Sequence, residues 1–524
     1  MPVGALSPST LVGVVGSGTM GAGIAQVAAL AGHAVVLCDS RADAVPNAIQ
    51  SIRQNLDKLV SKGKLPAEAA ESASKRLRAA ASLSELRDSG IVVEAIVEDL
   101  EVKRQLFAEL EAIVDANCIL ATNTSSLSVT AIAATLRSPH RLVGMHFFNP
   151  VPLMELVEVI GGLATGSEPL ATVHATAAAW GKTAVYAKST PGFIVNRVAR
   201  PYYGEALLLL AEQAANPATI DAVMRDSGGF RMGPFELMDL VGLDVGFAVS
   251  QSIFGAYFGD PRYRPSLIQQ EMVRAGFLGR KTKRGFYQYG EKAAAPTPDV
   301  EPPAPRPQRV KIFSVGPMAE ALAKRLAGSG VSVDRANSRS DHGDAVEVGD
   351  AILAVTDGRS ATQRACETGH RNFVVVDLAL DYSKATRLAI TKASACDKPA
   401  YLSAVGLLQA AGYAVSRLND VPGVVVMRTV AMLVNEAADA VNQGVATVAD
   451  VDTAMRKGVN YPRGPLAWAD ELGVEAIQKV LVNLAVHYGG DRYRVSPRIR
   501  QLVWSGGTFS GEPLVETSRN GRNS

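Results

Sequence analysis

His146 and Glu158 are the two side chains in this sequence best placed to move a proton. They flank a turn-forming Asn149-Pro150, with the apolar run Leu142-Val143-Gly144-Met145 ahead of it and Leu153 to Ile160 behind it. Both ionisable groups therefore stand in surroundings that ordinarily exclude charge. With the second run as a strand, Glu158 shares a face with Met154, Leu156 and Ile160, and a carboxylate there costs several kcal/mol unless it is paired. His146 is the candidate partner. A histidine held by a carboxylate is the construction of a tuned general base, because the carboxylate fixes the tautomer and stabilises the imidazolium. From these residues alone a satisfied core histidine beside a structural ion pair is the equal alternative, so the neighbouring elements must decide.

The elements upstream supply a nucleotide site. Leu11 to Val15 is an apolar run followed at once by Gly16-Ser17-Gly18-Thr19-Met20-Gly21 and an Ala-rich helical stretch to Ala31. A strand, a glycine turn and a helix in that order bring backbone N–H groups and the helix N-terminus to a pyrophosphate. A second strand, Ala34 to Cys38, ends in Asp39, at the spacing past Gly21 where a carboxylate holds ribose hydroxyls. Asp39 favours NAD because it repels a 2′-phosphate; Arg41 is the one neighbour that could accept NADP. Two further strands, Ile91 to Ile96 and Ile119 to Thr122, are separated by a helix from about Leu100 to Val114. This alternation predicts a doubly wound parallel sheet with its ligands beyond the carboxyl ends of the strands. Glu98 lies past one such end and Asn123-Thr124-Ser125-Ser126 past the other, either as site contacts or as the cap of the next helix.

The stretch from Val45 to Leu86 reads as a helical hairpin carrying Lys58, Lys62, Lys64, Lys75, Arg76 and Arg78. It is either a solvated face or the seat of a polyanion. After the His146 stretch a helix-rich region runs from Pro169 to about Gly276. Within it Asn196 closes the run Pro191-Gly192-Phe193-Ile194-Val195, as a site residue or as a helix-internal hydrogen-bonding group.

Composition bounds the rest. At 524 residues the chain predicts three or four domains, and 47% hydrophobic with 20% charged residues is an ordinary globular balance. A net charge of +2 gives no overall case for nucleic acid or a membrane surface. No basic segment precedes the first apolar run, no uninterrupted stretch reaches the length of a membrane span, and Cys38, Cys118, Cys366 and Cys396 show no metal-ligand spacing. They read as reduced core residues of a cytoplasmic protein.

Six prolines between Gly290 and Gln308 mark a linker. Beyond it, Val310 to Ala319 again looks like a strand entering a helix, but Pro317 and Ala319 stand where phosphate approach needs glycine, which predicts a dinucleotide-type fold that binds no dinucleotide. The helical region then recurs at a constant offset without gaps: Pro191-Gly192 as Pro422-Gly423, Arg197 as Arg428, Glu205 as Glu436, Gly233-Pro234 as Gly464-Pro465, Asp239 as Asp470. Asn196 becomes Met427, and no counterpart of the His146 stretch precedes the second copy. The repeat reads as scaffold.

These motifs together resemble the 3-hydroxyacyl-CoA dehydrogenase family in its longer form with a duplicated C-terminal domain. The match runs in unbroken order from the glycine turn through Asn123 to Leu127, His146 to Glu158, Pro191 to Arg197, Gly233 to Asp244 and Gly279 to Tyr289. The resemblance implies that His146 is the catalytic base and Glu158 its orienting partner, and that Ser125 and Asn196 contact substrate. It implies that Glu98 and Lys103 lie around the cofactor with Asn123, and that the basic hairpin, with Lys62 as best candidate, holds the coenzyme A phosphates. The implied reaction is NAD-dependent oxidation of (S)-3-hydroxyacyl-CoA to 3-oxoacyl-CoA, with no metal. A short or dicarboxylic acyl chain is expected, in fatty-acid or aromatic-acid (phenylacetate-type) breakdown. A non-catalytic dinucleotide-binding protein, or a dehydrogenase of a sugar acid or nucleotide sugar, would explain the glycine turn but not His146 with Glu158.

The expected architecture is α/β, then all-α, then both again. Residues 1–189 form a Rossmann-type domain with the hairpin at about 45–86, and 190–289 a helical domain. A linker at 290–308 leads to a degenerate Rossmann-like domain at 309–400, a second helical domain at 401–510 and a tail at 511–524. The helical copies are expected to pack together as an internal pseudo-dimer, and the whole chain to be capable of forming a homo-oligomer.

Overall fold

Strands buried on both faces need continuous apolar runs, and Leu11–Val15 (β1) supplies one at the centre of an eight-stranded sheet. The computed structural model describes residues 4–511 apart from 42, 292, 295, 314 and 337–341. The other strands are Val35–Cys38 (β2), Leu77–Ala79 (β3), Ser89–Glu94 (β4), Ile119–Thr122 (β5), Leu142–Phe147 (β6), Leu156–Gly161 (β7) and Thr183–Lys188 (β8). Their order is β3-β2-β1-β4-β5-β6-β7-β8. β1 to β6 run parallel, which is the doubly wound arrangement, and its crevice opens where the order reverses between β1 and β4. Only β6 and β7 are antiparallel, with His146 directly opposite Glu158.

Two elements depart from the sequence expectation. The basic stretch is α-helical only over Ala44–Ser61 and Ala67–Lys75; β3 follows, because the free edge of β2 offers hydrogen bonds that outweigh the local helical pattern, and a 3-10 turn at Leu83–Leu86 closes it. Nor is the hairpin a wholly solvated face, since Val45, Ile49, Ile52 and Leu56 form a buried stripe at helical spacing. β8 lies in the region read as helical, and its alternate residues Val185 and Ala187 are buried as a strand requires. Met154 precedes β7 and is not on its face.

The described residues fall into two compact units, 4–197 with 443–459 and 198–442 with 460–511. In the second unit a mixed sheet is built from Arg309–Ile312 (β9), Ser332–Arg335 (β10), Ala345–Val348 (β11), Ala351–Val355 (β12), Phe373–Val376 (β13), Arg387–Lys392 (β14) and Ala414–Arg417 (β15). Its order is β10-β9-β11-β12-β13-β14-β15. The sheet runs past residue 400 because the helix Lys398–Ala410 is the crossover between parallel β14 and β15. Part of the linker is pinned along this edge, with the Glu301 amide donating to Val415 O at 2.8 Å. The tail, from 512 on, lies outside the described residues.

The repeat begins earlier than the sequence suggested. The offset that carries Pro191 to Pro422 also carries both ends of β7 to those of β14, and both ends of the helix Ser167–Ala179 to those of Lys398–Ala410. A counterpart of the His146 stretch therefore exists, with Asp377 at the place of His146 and Ala389 at that of Glu158. It escaped notice because both chemically telling residues changed. Asp377 is fully buried and accepts the amides of Val425, Val426 and Met427 at 3.0, 2.8 and 3.1 Å. In the same domain the first amides of the helix Pro317–Arg325, those of Met318 and Ala319, donate to Asp344 at 2.7 and 3.1 Å. The chain's own carboxylate thus sits where a pyrophosphate would be bound.

The two helical copies touch inside the second unit. The helix Val426–Asn442 lies against Arg200–Ala211, and buried Arg428 donates to Glu205 at 2.8 Å and to Glu212 at 2.8 and 3.0 Å. Burial pushes the Glu205 carboxyl up, but Arg492 and Arg428 more than reverse this and hold it below the usual range. Cys38, Cys118 and Cys396 are buried free thiols, whereas Cys366 is exposed and so is not the core residue expected. Among the described residues no single helix is long and apolar enough to cross a membrane.

Burial raises the Asp377 carboxyl to about 6, against the pull of four backbone hydrogen bonds. A raised carboxyl binds its proton more tightly folded than unfolded, so its contribution to stability falls as pH rises from about 4 to 6, by on the order of 3 kcal/mol. Urea unfolding of wild type and Asp377→Asn across this range should show that slope in the wild type only; equal slopes would contradict the assignment.

Candidate active site

β6 and β7 place an imidazole and a carboxylate face to face. His146 Nδ1 is 2.7 Å from Glu158 Oε2, and both side chains are almost wholly buried. The other oxygen, Oε1, accepts the amides of Ile194 and Val195 at 2.9 Å each. These amides are free because the chain turns through Gly192 and Phe193, both at positive φ, and enters the short helix Val195–Val198. Glu158 thus binds the imidazole with one oxygen and starts the Asn196 helix with the other. The His146 ring is walled by Phe148 and Phe193, at centroid distances of 4.5 and 5.8 Å. With Nδ1 engaged, Nε2 has no hydrogen-bond partner among the described residues.

The β5 turn completes the cluster. Asn123 Oδ1 accepts the amide of Phe147 at 2.9 Å, which fixes the end of the His146 strand. Glu98 Oε1 gathers the turn through the Thr124 hydroxyl at 2.7 Å and the amides of Ser125 and Ser126 at 2.9 and 3.0 Å. Asn196 Nδ2 reaches Ser125 O at 3.5 Å. Burial pushes the Glu98 carboxyl up, yet the Thr124 hydroxyl, Lys103 and the Ser125 amide bring it below the usual range. Lys103, expected around the cofactor, is itself buried; its ammonium lies 2.5 Å from Glu94 and 3.3 Å from Glu98, so it braces the turn from beneath. Sequence reasoning missed Glu94. It is fully buried at the end of β4, also accepts the Thr122 hydroxyl at 2.7 Å, and a lone glutamate closing an apolar strand was the available signal.

The glycine turn is built to receive a dinucleotide. Gly16 has φ 97° with its α-carbon against the Ala95 carbonyl, and at Gly21 a side chain would strike the Gly16 carbonyl. Gly18, the cap of the helix Thr19–Leu30, has open space where a side chain would stand, and Met20 follows inside the helix. Asp39 at the end of β2 accepts both the amide and the hydroxyl of Ser17 at 2.8 Å. Burial raises its carboxyl, but Ser17 and Arg41 leave it below the usual range and ionised. These residues fit NAD: a helix N-terminus with room for phosphate and an acidic group for the ribose. Beside the turn, a cavity of about 700 Å³ is lined by Ser17, Gly18, Thr19 and Asn149 to Leu153. Lys62 lines it too, with Lys58 one helical turn earlier. The structure therefore brings Lys62 to the glycine turn, and His146, Glu158, Ser125 and Asn196 to one another.

Comparison with known proteins identifies the domains. Residues 11–190 match the family described as 3-hydroxyacyl-CoA dehydrogenase, NAD binding domain, and 192–289 and 423–515 each match its C-terminal domain. Residues 353–422 match the 3-hydroxybutyryl-CoA dehydrogenase reduced Rossmann-fold domain.

The chain belongs to the 3-hydroxyacyl-CoA dehydrogenase family.

This dehydrogenase is 44% identical over 492 residues to a 3-hydroxyadipyl-CoA dehydrogenase of Escherichia coli, covering 94% of this chain and 96% of the relative. A crystal structure named as an Escherichia coli 3-hydroxybutyryl-CoA dehydrogenase superposes with a TM-score of 0.86 at 43% identity, covering 96% of this chain and all of that one. A Bradyrhizobium diazoefficiens 3-hydroxybutyryl-CoA dehydrogenase is 44% identical over 287 residues, 55% of this chain and 97% of the relative. The dehydrogenase is an NAD-dependent enzyme acting on 3-hydroxyacyl-CoA.

Glu98→Ala would release the Ser125 turn and leave Lys103 with one carboxylate. A loss of about 1–2 kcal/mol is expected, discounted for partial exposure. Because the folded carboxyl lies below its ordinary value, this contribution is present at neutral pH and lost as pH falls through the folded value. Urea titrations should therefore separate variant from wild type at pH 7 and bring the two together at acid pH.

Proposed function

We propose that His146 is the general base of the reaction, taking the proton of the substrate 3-hydroxyl at Nε2 while Glu158 stabilises the resulting imidazolium. The observation that carries this reading is the 2.7 Å contact between His146 Nδ1 and a fully buried carboxylate, which leaves Nε2 to face substrate. NAD, when bound, supplies the hydride acceptor for C3. Asp39 and the glycine turn, Gly16 to Gly21, hold and orient it, with Glu98, Asn123 and Lys103 shaping the nicotinamide end. The Ser125 hydroxyl and the Asn196 amide donate to the substrate oxygens, and at least one of these bonds strengthens as charge builds on the carbonyl. In the reverse direction His146 returns the same proton to the forming hydroxyl.

Lys62, with Lys58, supplies positive charge for the coenzyme A phosphates from the cavity beside the glycine turn. The preferred acyl group is short or dicarboxylic, as in aromatic-acid breakdown; support comes from the full-length likeness to a 3-hydroxyadipyl-CoA dehydrogenase. We place the enzyme in the cytoplasm, consistent with its three buried free thiols.

His146→Gln keeps the shape of the site and removes the base. Acetoacetyl-CoA reduction by NADH should fall about 10²- to 10⁴-fold in kcat, while the affinity for NADH, read by its fluorescence, changes little. Undiminished turnover in this variant would sink the assignment.

A further inference from the structure

Asn196 is followed by Arg197, a fully buried arginine whose Nη1 donates to the side-chain oxygen of Gln443 at 2.8 Å. Gln443 lies far along the chain, in the duplicated domain, yet it belongs to the same compact unit as the catalytic residues. The segment it opens is docked there at several points. The Lys188 amide at the end of β8 donates to Val445 O at 2.9 Å. The helix Val448–Gly458 packs on β7 and β8, the first of which carries Glu158. At Gly458 an added methyl would come within 2.7 Å of Leu156 Cδ2 and 3.0 Å of Val195 Cγ2, the neighbours of the Glu158 strand and of Asn196.

The other copy shows what this contact is worth to the fold. Arg428 is the repeat counterpart of Arg197, and Glu212 is the repeat counterpart of Gln443. That pair is also joined, but as a bidentate ion pair, Arg428 Nη1 and Nη2 reaching the two oxygens of Glu212 at 2.8 and 3.0 Å. The pairing is therefore reciprocal between the copies and differs in one respect. Where the following helix carries Asn196, the acceptor is a neutral amide; where it carries Met427, the acceptor is a carboxylate.

We infer that Gln443 is a positioning residue for the reaction: by holding Arg197 it sets the short helix Val195–Val198 and so the direction of the Asn196 amide. The inert copy thereby completes the active site of the working one. This rests on the substrate contact proposed for Asn196, and the test separates the two.

Steady-state acetoacetyl-CoA reduction would be measured for Gln443→Ala, Gln443→Glu, Asn196→Ala and the double variant Gln443→Ala/Asn196→Ala. Lys457→Ala serves as a control on the same docked segment; Lys457 meets Glu155 at the surface and should leave kcat within two-fold of wild type, as befits an exposed pair. Gln443→Ala should lower kcat about 10-fold or more, with the NADH dissociation constant unchanged, because the loss is one of orientation. Gln443→Glu keeps an acceptor and should recover most of the rate. In the double variant the Gln443 effect should vanish, since its target is gone. Loss of rate in Asn196→Ala but not in Gln443→Ala would overturn the positioning role alone, as would losses that multiply in the double variant. Full rate in Asn196→Ala would overturn the substrate contact, and the inference with it. Should Gln443→Ala not fold, Gln443→Met, similar in size but without the acceptor oxygen, asks the same question.

Discussion

The active half of this chain depends on one buried carboxylate doing two things at once. Glu158 is wholly excluded from solvent, and an isolated charge there would be untenable. It is stable because Oε2 meets His146 and Oε1 meets two backbone amides, three hydrogen bonds that stand in for those of solvent. Both contacts follow from register. In an antiparallel pair, directly opposed residues point to the same side, and a slip of one residue between β6 and β7 would send the base and its partner to opposite faces of the sheet. The geometry of the proposed base is thus fixed by a strand pairing that the core already enforces.

The second half separates the two tasks of that carboxylate. The turn at Gly423 and Val424 repeats the positive φ angles of Gly192 and Phe193, so the amides that follow are again without helical partners. There the acceptor is Asp377, just past the end of β13, the counterpart of the His146 strand, while the Glu158 position has become Ala389. The need for a buried acceptor at this helix start survived the loss of the histidine, and it was met from the opposite strand. A buried acid in this position is therefore common to both copies, whereas the histidine beside it belongs to the first copy alone. The same logic holds at the degenerate nucleotide turn, where Asp344 rather than a ligand satisfies the first amides of the helix Pro317–Arg325.

Much of this could be read from the sequence because local chemistry and position coincide. The glycine turn, Asp39, the hydroxyl-rich turn after β5 and the pairing of His146 with Glu158 each rest on residue types that few other roles require. β3 and β8 were not legible, because short strands at the edge of a sheet are defined by the neighbour they bind more than by their own pattern. Lys103 could not be placed from sequence either. On the helix Leu100–Ile113 it reads as one more charged residue, and only its burial between Glu94 and Glu98 shows that it supports the Ser125 turn. The upstream half of the repeat was hidden for a different reason: its secondary structure was retained while the residues that would have announced it were exchanged.

Duplication within one chain changes what each copy must preserve. When two separate subunits brace each other's sites, the brace is only as populated as the dimer, and its stability depends on concentration. Covalent fusion makes the second partner permanently available at high effective concentration. One copy is then released from catalysis, and Asn196 can become Met427 without penalty to the fold. The contacts through which it serves the other copy are not released. Arg428 with Glu205 and Glu212 remains a buried, fully paired network, and Gly458 remains without a side chain where it meets Leu156 and Val195. The pattern of loss and retention, chemistry gone and bracing kept, is what selection on a permanent partner would leave behind.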